Sequence, residues 1–386
     1  FETWQDFRKY MGNTKDISYG SVKQSFECRI NNNNSFIEND LEVEFEEIRK
    51  IPAVGSAKIA SKNNLFQPIN EPLDFIDNKS KLKCSYENKS DMDIIKMNVS
   101  LDVKDIERER AVFFKGTQKV NSNISTVQGK EVYEVDNGII KIKGSPDFSQ
   151  GIYSLIHNDN EWLDNSFPEP AVKSWWNFWT GGYSYILNKL SFASLAKEKK
   201  KAEFVSLEDN FGNVWSGIKT TLDIVENEEY RGISIDQYFL LLPDVPVLCD
   251  FPIIRQNSPK YIEDHPFGHM TFIKQGDNLE DNWVVQSDRG EKTIYKCGKT
   301  EFDLYSNNIS VHGSNNTEFR MICLVNDKEP IEFCNTNGIS IEAHTNYVSC
   351  DTGTSIMQNP SFIVFSKENL NEVMLEDLFK VRFDIL

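Results

Sequence analysis

Alternation of apolar and polar residues along short segments is the feature of this sequence that most restricts its fold. Segments rich in β-branched and aromatic residues alternate in this way along the whole chain, and clusters of Asn, Asp, Gly and Ser separate them. Such alternation places successive side chains on opposite faces of a strand. It predicts strands over residues 21–30, 41–48, 81–86, 94–103, 111–115, 132–134, 139–143, 152–157, 201–208, 215–225, 232–242, 247–256, 269–274, 293–296, 302–306, 309–313, 318–325, 339–346 and 361–365.

Helical periodicity is confined to two short segments, residues 1–10 and 369–379. Many strands at a spacing of roughly 8–12 residues are typical of sandwiches or barrels rather than of alternating strands and helices. Between two of the alternating segments, Asp136-Asn137-Gly138 predicts a hairpin turn. The expected fold class is therefore all-β, with few short helices.

The chain has 386 residues, which is long for one ordinary domain. A polar stretch around residues 116–130 is typical of a domain boundary. It predicts a smaller N-terminal β-sandwich-like domain over residues 1–125 and a larger antiparallel β domain over residues 126–386. Because the chain begins at Phe1 and not at a methionine, a further domain N-terminal to Phe1 is also expected.

Net charge and the length of the apolar runs limit which partners the sequence predicts. This is an acidic protein, with 59 acidic and 42 basic residues and a net charge of −17, whereas nucleic-acid binding needs a basic field. No apolar run approaches the roughly 18 to 20 residues of a membrane span. Neither nucleic acid nor a membrane is therefore predicted as a partner.

The 7 cysteines are widely spread and form no CxxC pair, which argues against a zinc module and against a full disulfide framework. Free thiols in a reducing compartment favour a cytoplasmic location, with an extracellular one as the alternative. Glycine-rich phosphate-binding motifs, a G-x-S-x-G elbow and H-E-x-x-H are all missing from the sequence. No cofactor and no metal site are predicted.

Aromatic residues are concentrated in one segment, which includes Trp162, Trp175, Trp176, Trp179 and Tyr183. Indole and phenol rings offer flat apolar faces with a polar tip, the chemistry that stacks on sugar rings. Three interpretations stay open: a core cluster under a long loop, a ring-stacking platform for a small saccharide or polysaccharide, and a protein–protein contact.

From residue 131 onwards, the order of predicted strands and turns resembles that of a known family. Residues 131–142 give a strand, an Asn-Gly turn and a strand, and residues 146–155 and 158–163 follow with a Gly-containing strand, a polar turn and Glu-Trp-Leu. This order resembles the opening of galactose-mutarotase-like supersandwich domains, which occur in aldose epimerases and in C-terminal domains of carbohydrate-active enzymes. The resemblance implies a large antiparallel supersandwich and a connection with sugars.

Aldose-epimerase chemistry, which the resemblance implies, needs two histidines and a glutamate that exchange protons with the sugar. The segment from Asp264 to Met270 resembles the epimerase N-H-x-Y-F element and contains His265 and His269. These two histidines have metal-ligand spacing for a helix, but Pro266 and Gly268 between them argue against a helix. They are candidates for polar contacts or acid–base catalysis in a cleft, with ordinary hydrogen-bonded loop histidines as the alternative.

Acidic residues flank the aromatic segment, and a pair of carboxylates is what glycoside cleavage requires. Glu161 and Glu169 are the catalytic candidates, with a solvated role as the alternative, and Asp164 lies between them. Arg255, near the end of a predicted buried strand, and Asp264 are candidate ligand-binding residues.

Three functions stay open. The first is a carbohydrate-binding or accessory β-sandwich domain of a larger carbohydrate-active protein. The second is a sugar epimerase or hydrolase that uses histidines and carboxylates in the sandwich cleft. The third is a structural or protein-interaction sandwich without catalysis.

Overall fold

The structure, a computed structural model, describes residues 3, 6–7, 26–38, 40–48, 54–87, 90–102, 105–173, 176–187, 190, 192–288, 291–336 and 338–385. The chain forms two compact units, one of Phe1–Lys115 with Val373–Lys380 and one of Gly116–Glu372 with Val381–Leu386. The boundary thus lies after Lys115, whereas the sequence placed it after residue 125. The polar stretch at the predicted boundary contains a strand, Asn121–Val127, which pairs with Lys130–Asp136 in the second unit.

The first unit is a small two-sheet sandwich. Its strands are β1 (Phe26–Ile30), β2 (Phe36–Ile37), β3 (Asp40–Glu47), β4 (Gly55–Ser61), β5 (Ile69–Leu73), β6 (Lys79–Ser85), β7 (Met92–Leu101) and β8 (Asp105–Phe114). They form a three-stranded sheet in the order β1-β3-β6 and a five-stranded sheet in the order β2-β8-β7-β4-β5. Apolar side chains of both sheets, such as Phe45 on β3 and Ile59 on β4, belong to one buried cluster.

The second unit contains the remaining strands. They are β9 (Asn121–Val127), β10 (Lys130–Asp136), β11 (Ile140–Gly144), β12 (Ile152–His157), β13 (Asn160–Glu161), β14 (Ala171–Lys173), β15 (Trp176–Trp179), β16 (Tyr183–Leu187), β17 (Lys199–Glu208), β18 (Val214–Asp223), β19 (Ile233–Leu241), β20 (Val247–Gln256), β21 (Ile262–Phe272), β22 (Asn282–Asp288), β23 (Glu291–Lys296), β24 (Phe302–Ser306), β25 (Ile309–Ser314), β26 (Arg320–Leu324), β27 (Ile331–Thr336), β28 (Ile339–Cys350), β29 (Thr354–Met357) and β30 (Ser361–Ser366).

Two ten-stranded antiparallel sheets dominate this unit. The first sheet has the order β24-β27-β28-β21-β16-β12-β11-β10-β9, with β13 beside β12, and the second has the order β17-β18-β19-β20-β30-β26-β25-β22-β23, with β29 beside β20. Apolar side chains of both sheets, among them Leu155 on β12 and Ile363 on β30, share one buried cluster. The all-β, large antiparallel sandwich that the sequence predicts is therefore confirmed.

Helices are few and short in the described part of the chain. The α-helices are α1 (Phe192–Leu195) and α2 (Glu372–Leu375), and single 3-10 turns cover Asn31–Asn33, Leu279–Asp281 and Leu378–Lys380. The helix predicted over residues 369–379 is thus two short pieces. Of the one predicted over residues 1–10, residues 6–7 are helical, and most of the others lie outside the described residues. No helix among the described residues is long and apolar enough to cross a membrane.

Candidate functional site

A group of buried polar side chains lies where central strands of the two large sheets meet. Alternation along β16, β21 and β28, which are neighbours in the first sheet, brings every second side chain to one face. Strands β20, β30, β26 and β25 are likewise neighbours in the second sheet. We call this group the polar cluster; its members are Tyr183, Tyr185, Asp250, His269, Ser310, His312, Cys323, Glu342, His344 and Ser361, all of them buried.

Asp250 on β20 is held by two tyrosines of the opposite sheet. The Tyr183 and Tyr185 hydroxyls donate hydrogen bonds to its Oδ1, at 2.5 and 2.6 Å. Its Oδ2 has no hydrogen-bond partner within the described structure. Burial raises the pKa of Asp250 to about 6, because the two hydroxyl contacts only partly offset the loss of hydration. This carboxyl therefore changes protonation near pH 6.

Glu342 on β28 faces His312 on β25. The Nε2 atom of His312 lies 2.5 Å from Glu342 Oε2, and the Ser310 hydroxyl also donates to that oxygen. Burial opposes ionisation of Glu342, but the neighbouring His312 and Ser310 outweigh it and hold the pKa of Glu342 below its usual value. The second carboxylate oxygen, Oε1, has no partner among the described residues.

His269 and His344 stand directly opposite each other on β21 and β28, with ring centroids 5.8 Å apart. Burial lowers the pKa of His269 to about 3, and burial also lowers the pKa of His344. Both imidazoles are therefore neutral at pH 7. In the described part of the chain, nothing bonds to His269 Nδ1 or to His344 Nε2.

Two small cavities connect these groups. The inner cavity, of about 10 Å³, is lined by polar side chains of Tyr183, Asp250, His269, Thr271, Cys323 and Glu342. The outer cavity, also about 10 Å³, is lined by Tyr185, His269, Asn326, Asp327, His344, Gln358 and Asn359. A space of this size holds about one water molecule. Because Asn359 is exposed, the outer cavity lies next to the surface, and His269 lines both.

The chemistry of the outer cavity suits neutral hydrogen-bonding groups. Two neutral imidazoles and three side-chain amides can both donate and accept hydrogen bonds. No lysine or arginine occurs among the described side chains that line either cavity, and Asp250, Asp327 and Glu342 add negative charge. Hydroxyl groups fit this set, whereas phosphate or carboxylate ligands would be repelled.

The aromatic segment contributes to the core and not to an open surface. Trp162, Trp179 and Tyr183 are 1%, 2% and 2% exposed. Trp162 packs against Phe365 between the two sheets. Trp179 packs against Phe272, on the face of β21 opposite to His269, where it covers an apolar surface that would otherwise meet water.

A sugar ring has no room to stack on these three indole and phenol rings. The cavity beside Trp179 measures about 20 Å³, far below the size of a ligand pocket. The stacking platform predicted from the sequence is therefore not formed by these rings. Trp175 and the side chain of Trp176 lie outside the described residues.

The two candidate carboxylates have structural contacts instead of a shared cleft. Glu161 Oε1 accepts backbone N–H groups of Leu155, Trp162 and Leu163 at 2.8, 3.1 and 3.0 Å, and Ser154 donates to its other oxygen. Glu169 is largely exposed and pairs with Lys130 at 3.2 Å. Asp164 is buried, 3.7 Å from Lys274. Neither Glu161 nor Glu169 lines the cavities of the polar cluster.

Of the remaining candidates, only His269 belongs to the polar cluster. His265 lies on the same face of β21, but its Nε2 contacts the Tyr230 hydroxyl at 2.7 Å, away from both cavities. Asp264 occupies a bulge with φ of 46°, where its backbone N–H donates to Ser349. Arg255 donates from Nε to Asp236 at 2.9 Å.

Sequence reasoning missed most of the cluster, including Asp250, His312, Glu342 and His344. One signal was available: Ile-Glu-Ala-His over residues 341–344 puts two ionisable side chains on one face of a predicted strand.

Comparisons with known proteins find similarity in fold alone. No protein-family model matches the sequence. A search of curated proteins also finds no match. A galactose mutarotase-related enzyme from Lactobacillus acidophilus is similar over 61% of this chain and 97% of its own, at 11% identity and a TM-score of 0.41. A candidate aldose 1-epimerase from Escherichia coli is similar over 64% and 99%, at 8% identity and a TM-score of 0.41.

A third solved structure, a TPR-domain containing protein from Parabacteroides distasonis, is similar over 71% of this chain and 50% of its own, at 9% identity and a TM-score of 0.45. The protein is thus similar to galactose mutarotase-related structures, the group that its sequence resembles. At these identities the similarity concerns the arrangement of strands, and it assigns neither a ligand nor a reaction.

Proposed function

We propose that this protein is a carbohydrate-binding β-sandwich domain, of the accessory kind found in larger carbohydrate-active proteins, and that it binds a neutral saccharide at the outer cavity. One observation carries the proposal. Three side chains that line this cavity, His269, His344 and Gln358, each have a buried nitrogen without a hydrogen-bond partner in the described structure. Buried polar atoms without partners are rare because each costs free energy, so these nitrogens favour a hydroxyl group beside them, from a ligand or from water.

The three side chains are suited to hydrogen bonds with hydroxyl groups. The Nδ1 or Nε2 atom of a neutral imidazole can accept a hydrogen bond from a hydroxyl, and the Gln358 amide nitrogen donates one. A sugar hydroxyl donates one hydrogen bond and can accept others, so the hydroxyl that enters the cavity can bond to more than one of these nitrogens. The resemblance to galactose-mutarotase-like domains supports a saccharide over other polyols.

The size of the outer cavity determines how a saccharide would bind. With about 10 Å³, it admits one hydroxyl or one water molecule but not a sugar ring. The ring therefore lies at the surface against Asn326 and Asn359, while one hydroxyl enters towards His269. Such shallow binding predicts a dissociation constant in the millimolar range, about −4 kcal/mol.

Titration calorimetry with glucose and galactose tests this proposal, with glucuronate and glucose 6-phosphate as charged counterparts. We expect binding of a neutral sugar and weaker or no binding of the charged ones. His344→Phe and Gln358→Leu each remove one hydrogen bond and should weaken binding about tenfold. His265→Phe is the matched control, since it removes an imidazole from the face of β21 that holds His269, away from both cavities.

Two results would reject the proposal. One is no heat and no change in Trp fluorescence with any neutral sugar, which would leave a structural or protein-interaction sandwich. The other is equal weakening by His265→Phe and His344→Phe, which would place the ligand elsewhere.

Acid–base catalysis on a sugar is a second candidate, because the polar cluster contains histidines and a glutamate, the residue types that the resemblance to aldose epimerases implies. His269, His344 and Glu342 lie on neighbouring strands, and burial raises the pKa of Asp250 to about 6. NMR of freshly dissolved α-glucose or α-galactose tests this: the protein should accelerate anomer exchange, and His269→Phe should abolish the acceleration. Binding without acceleration would limit the function to recognition.

A further inference from the structure

Three side chains of the polar cluster from three different strands have the composition of a metal site. His312 on β25, Cys323 on β26 and Glu342 on β28 each present one ligand atom, and these atoms all lie within 4.8 Å of one another. All three side chains are buried. From these residues we infer a binding site for one divalent zinc ion, independent of whether a saccharide binds at the outer cavity.

The donor set favours zinc over harder cations. Calcium and magnesium prefer oxygen ligands, whereas imidazole nitrogen and thiolate sulfur suit zinc and its neighbours. Zinc bonds of about 2.0 to 2.3 Å in a tetrahedral arrangement place ligand atoms roughly 3.5 Å apart. The three atoms would therefore shift by less than the width of an atom to reach this geometry, and the contact between His312 and Glu342 would open.

A second, independent observation points to a ligand at this position. Glu342 is 1% exposed, yet its Oε1 has no hydrogen-bond partner within the described residues. Glu342 and Cys323 also line the inner cavity, which has room for one water molecule. That water would be the fourth zinc ligand, in the arrangement of three protein ligands and one water that is common in zinc sites.

Zinc binding changes the protonation of the site in a defined way. The Cys323 thiol loses its proton to the solvent and becomes a thiolate, and His312 binds as a neutral imidazole through Nε2. In the absence of metal, Glu342 instead pairs with His312 and accepts from Ser310.

Metal analysis of the full chain tests the inference directly. The protein is produced in zinc-supplemented medium, freed of any histidine tag, and examined by mass spectrometry under native conditions and by elemental analysis. We expect one zinc per chain and a higher melting temperature than after removal of metal by a chelator. Cobalt(II) added to the metal-free protein should give a thiolate-to-cobalt absorption band in the near ultraviolet.

Variants assign the site to these residues. Cys323→Ser should eliminate the thiolate band and lower zinc affinity by at least about 10-fold, as expected when a ligand is lost. Cys84→Ser is the matched control, because Cys84 is a buried thiol of the other compact unit, and should leave zinc content unchanged. If Cys323→Ser does not fold, the zinc content of the wild type and of Glu342→Gln still tests the site.

Three outcomes would overturn the inference. They are a wild-type protein without zinc both as purified and after zinc addition, a cobalt spectrum without a thiolate band, and equal zinc binding by wild type and Cys323→Ser. In any of these cases His312 and Glu342 form a buried pair only.

Discussion

Acidification should lower the free energy of unfolding because His157 is buried. This histidine on β12 stacks on Phe365, with ring centroids 4.4 Å apart, and meets the ring edge of Phe319 at 4.5 Å. Burial lowers the pKa of His157 from 6.5 to about 4. The unfolded chain therefore binds more protons than the folded chain between these pH values. Stability from this group is present above pH 6.5 and is lost as the pH falls towards 4.

The size of this effect follows from the pKa difference. At 1.36 kcal/mol per pKa unit, a difference of about 2.5 corresponds to about 3 kcal/mol, of which about 2.5 kcal/mol is lost by about pH 4.5. His157→Phe keeps an aromatic ring against Phe365 and removes the proton-binding site. The variant also removes Nδ1, which is buried without a partner in the described part of the chain. We therefore expect His157→Phe to be at least as stable as wild type at neutral pH.

Urea unfolding, followed by Trp fluorescence and far-ultraviolet circular dichroism, measures this difference. Between about pH 7.5 and pH 4.5, wild type should lose about 2.5 kcal/mol more free energy of unfolding than His157→Phe. Ile142→Val is the control, because Ile142 is buried on the neighbouring strand and the change costs about 1 kcal/mol at either pH. If wild type and His157→Phe lose stability in parallel, His157 is not held neutral by burial and the reasoning fails.

Two further predictions concern residues around the candidate site. Glu161→Ala should lower the free energy of unfolding by about 3 kcal/mol, because three backbone N–H groups lose an acceptor. Glu161→Gln keeps an oxygen in place and should cost less, and urea unfolding measures both variants. A loss of sugar binding without destabilisation would instead support a catalytic Glu161. Gly268→Ala should destabilise the second unit by about 3 kcal/mol, because the alanine Cβ would lie 1.8 Å from the His344 carbonyl oxygen, between the paired strands β21 and β28. A variant as stable as wild type would contradict this close pairing.

Many of the strands were predictable from the sequence because alternation is a local property, but β4, β5, β16, β22 and β27 were not among the predicted strands. The hairpin around Asn137 shows this: β10 and β11 pair on either side of it, with Asp136 opposite Lys141, and Gly138 has the positive φ of 97° that suits glycine. The strand β9 was not predicted. Six of its seven residues are exposed and the seventh is half-buried, so no apolar alternation marks it.

The candidate site was far less predictable, because it depends on pairing between distant strands. Asp250, His269, His312 and Glu342 come from four strands of two sheets, and no local pattern fixes which strands become neighbours. The aromatic residues led to the prediction of a stacking platform for a related reason. Indole rings such as those of Trp162 and Trp179 stabilise cores as well as binding surfaces, and composition does not distinguish the two.

The polar cluster costs stability where an apolar core would be easier to build. Asp250 and Glu342 are buried carboxyl groups that each leave one oxygen without a partner in the described structure, and His269 is held neutral at the centre. Replacing such groups with well-packed apolar side chains is often neutral or stabilising in proteins. A sandwich whose only task was structural would gain from that exchange, as the surrounding cluster of Ile152, Phe239 and Ile363 illustrates. The proposed hydroxyl at the outer cavity and the proposed metal ion beside the inner one would complete these unpaired oxygens and nitrogens.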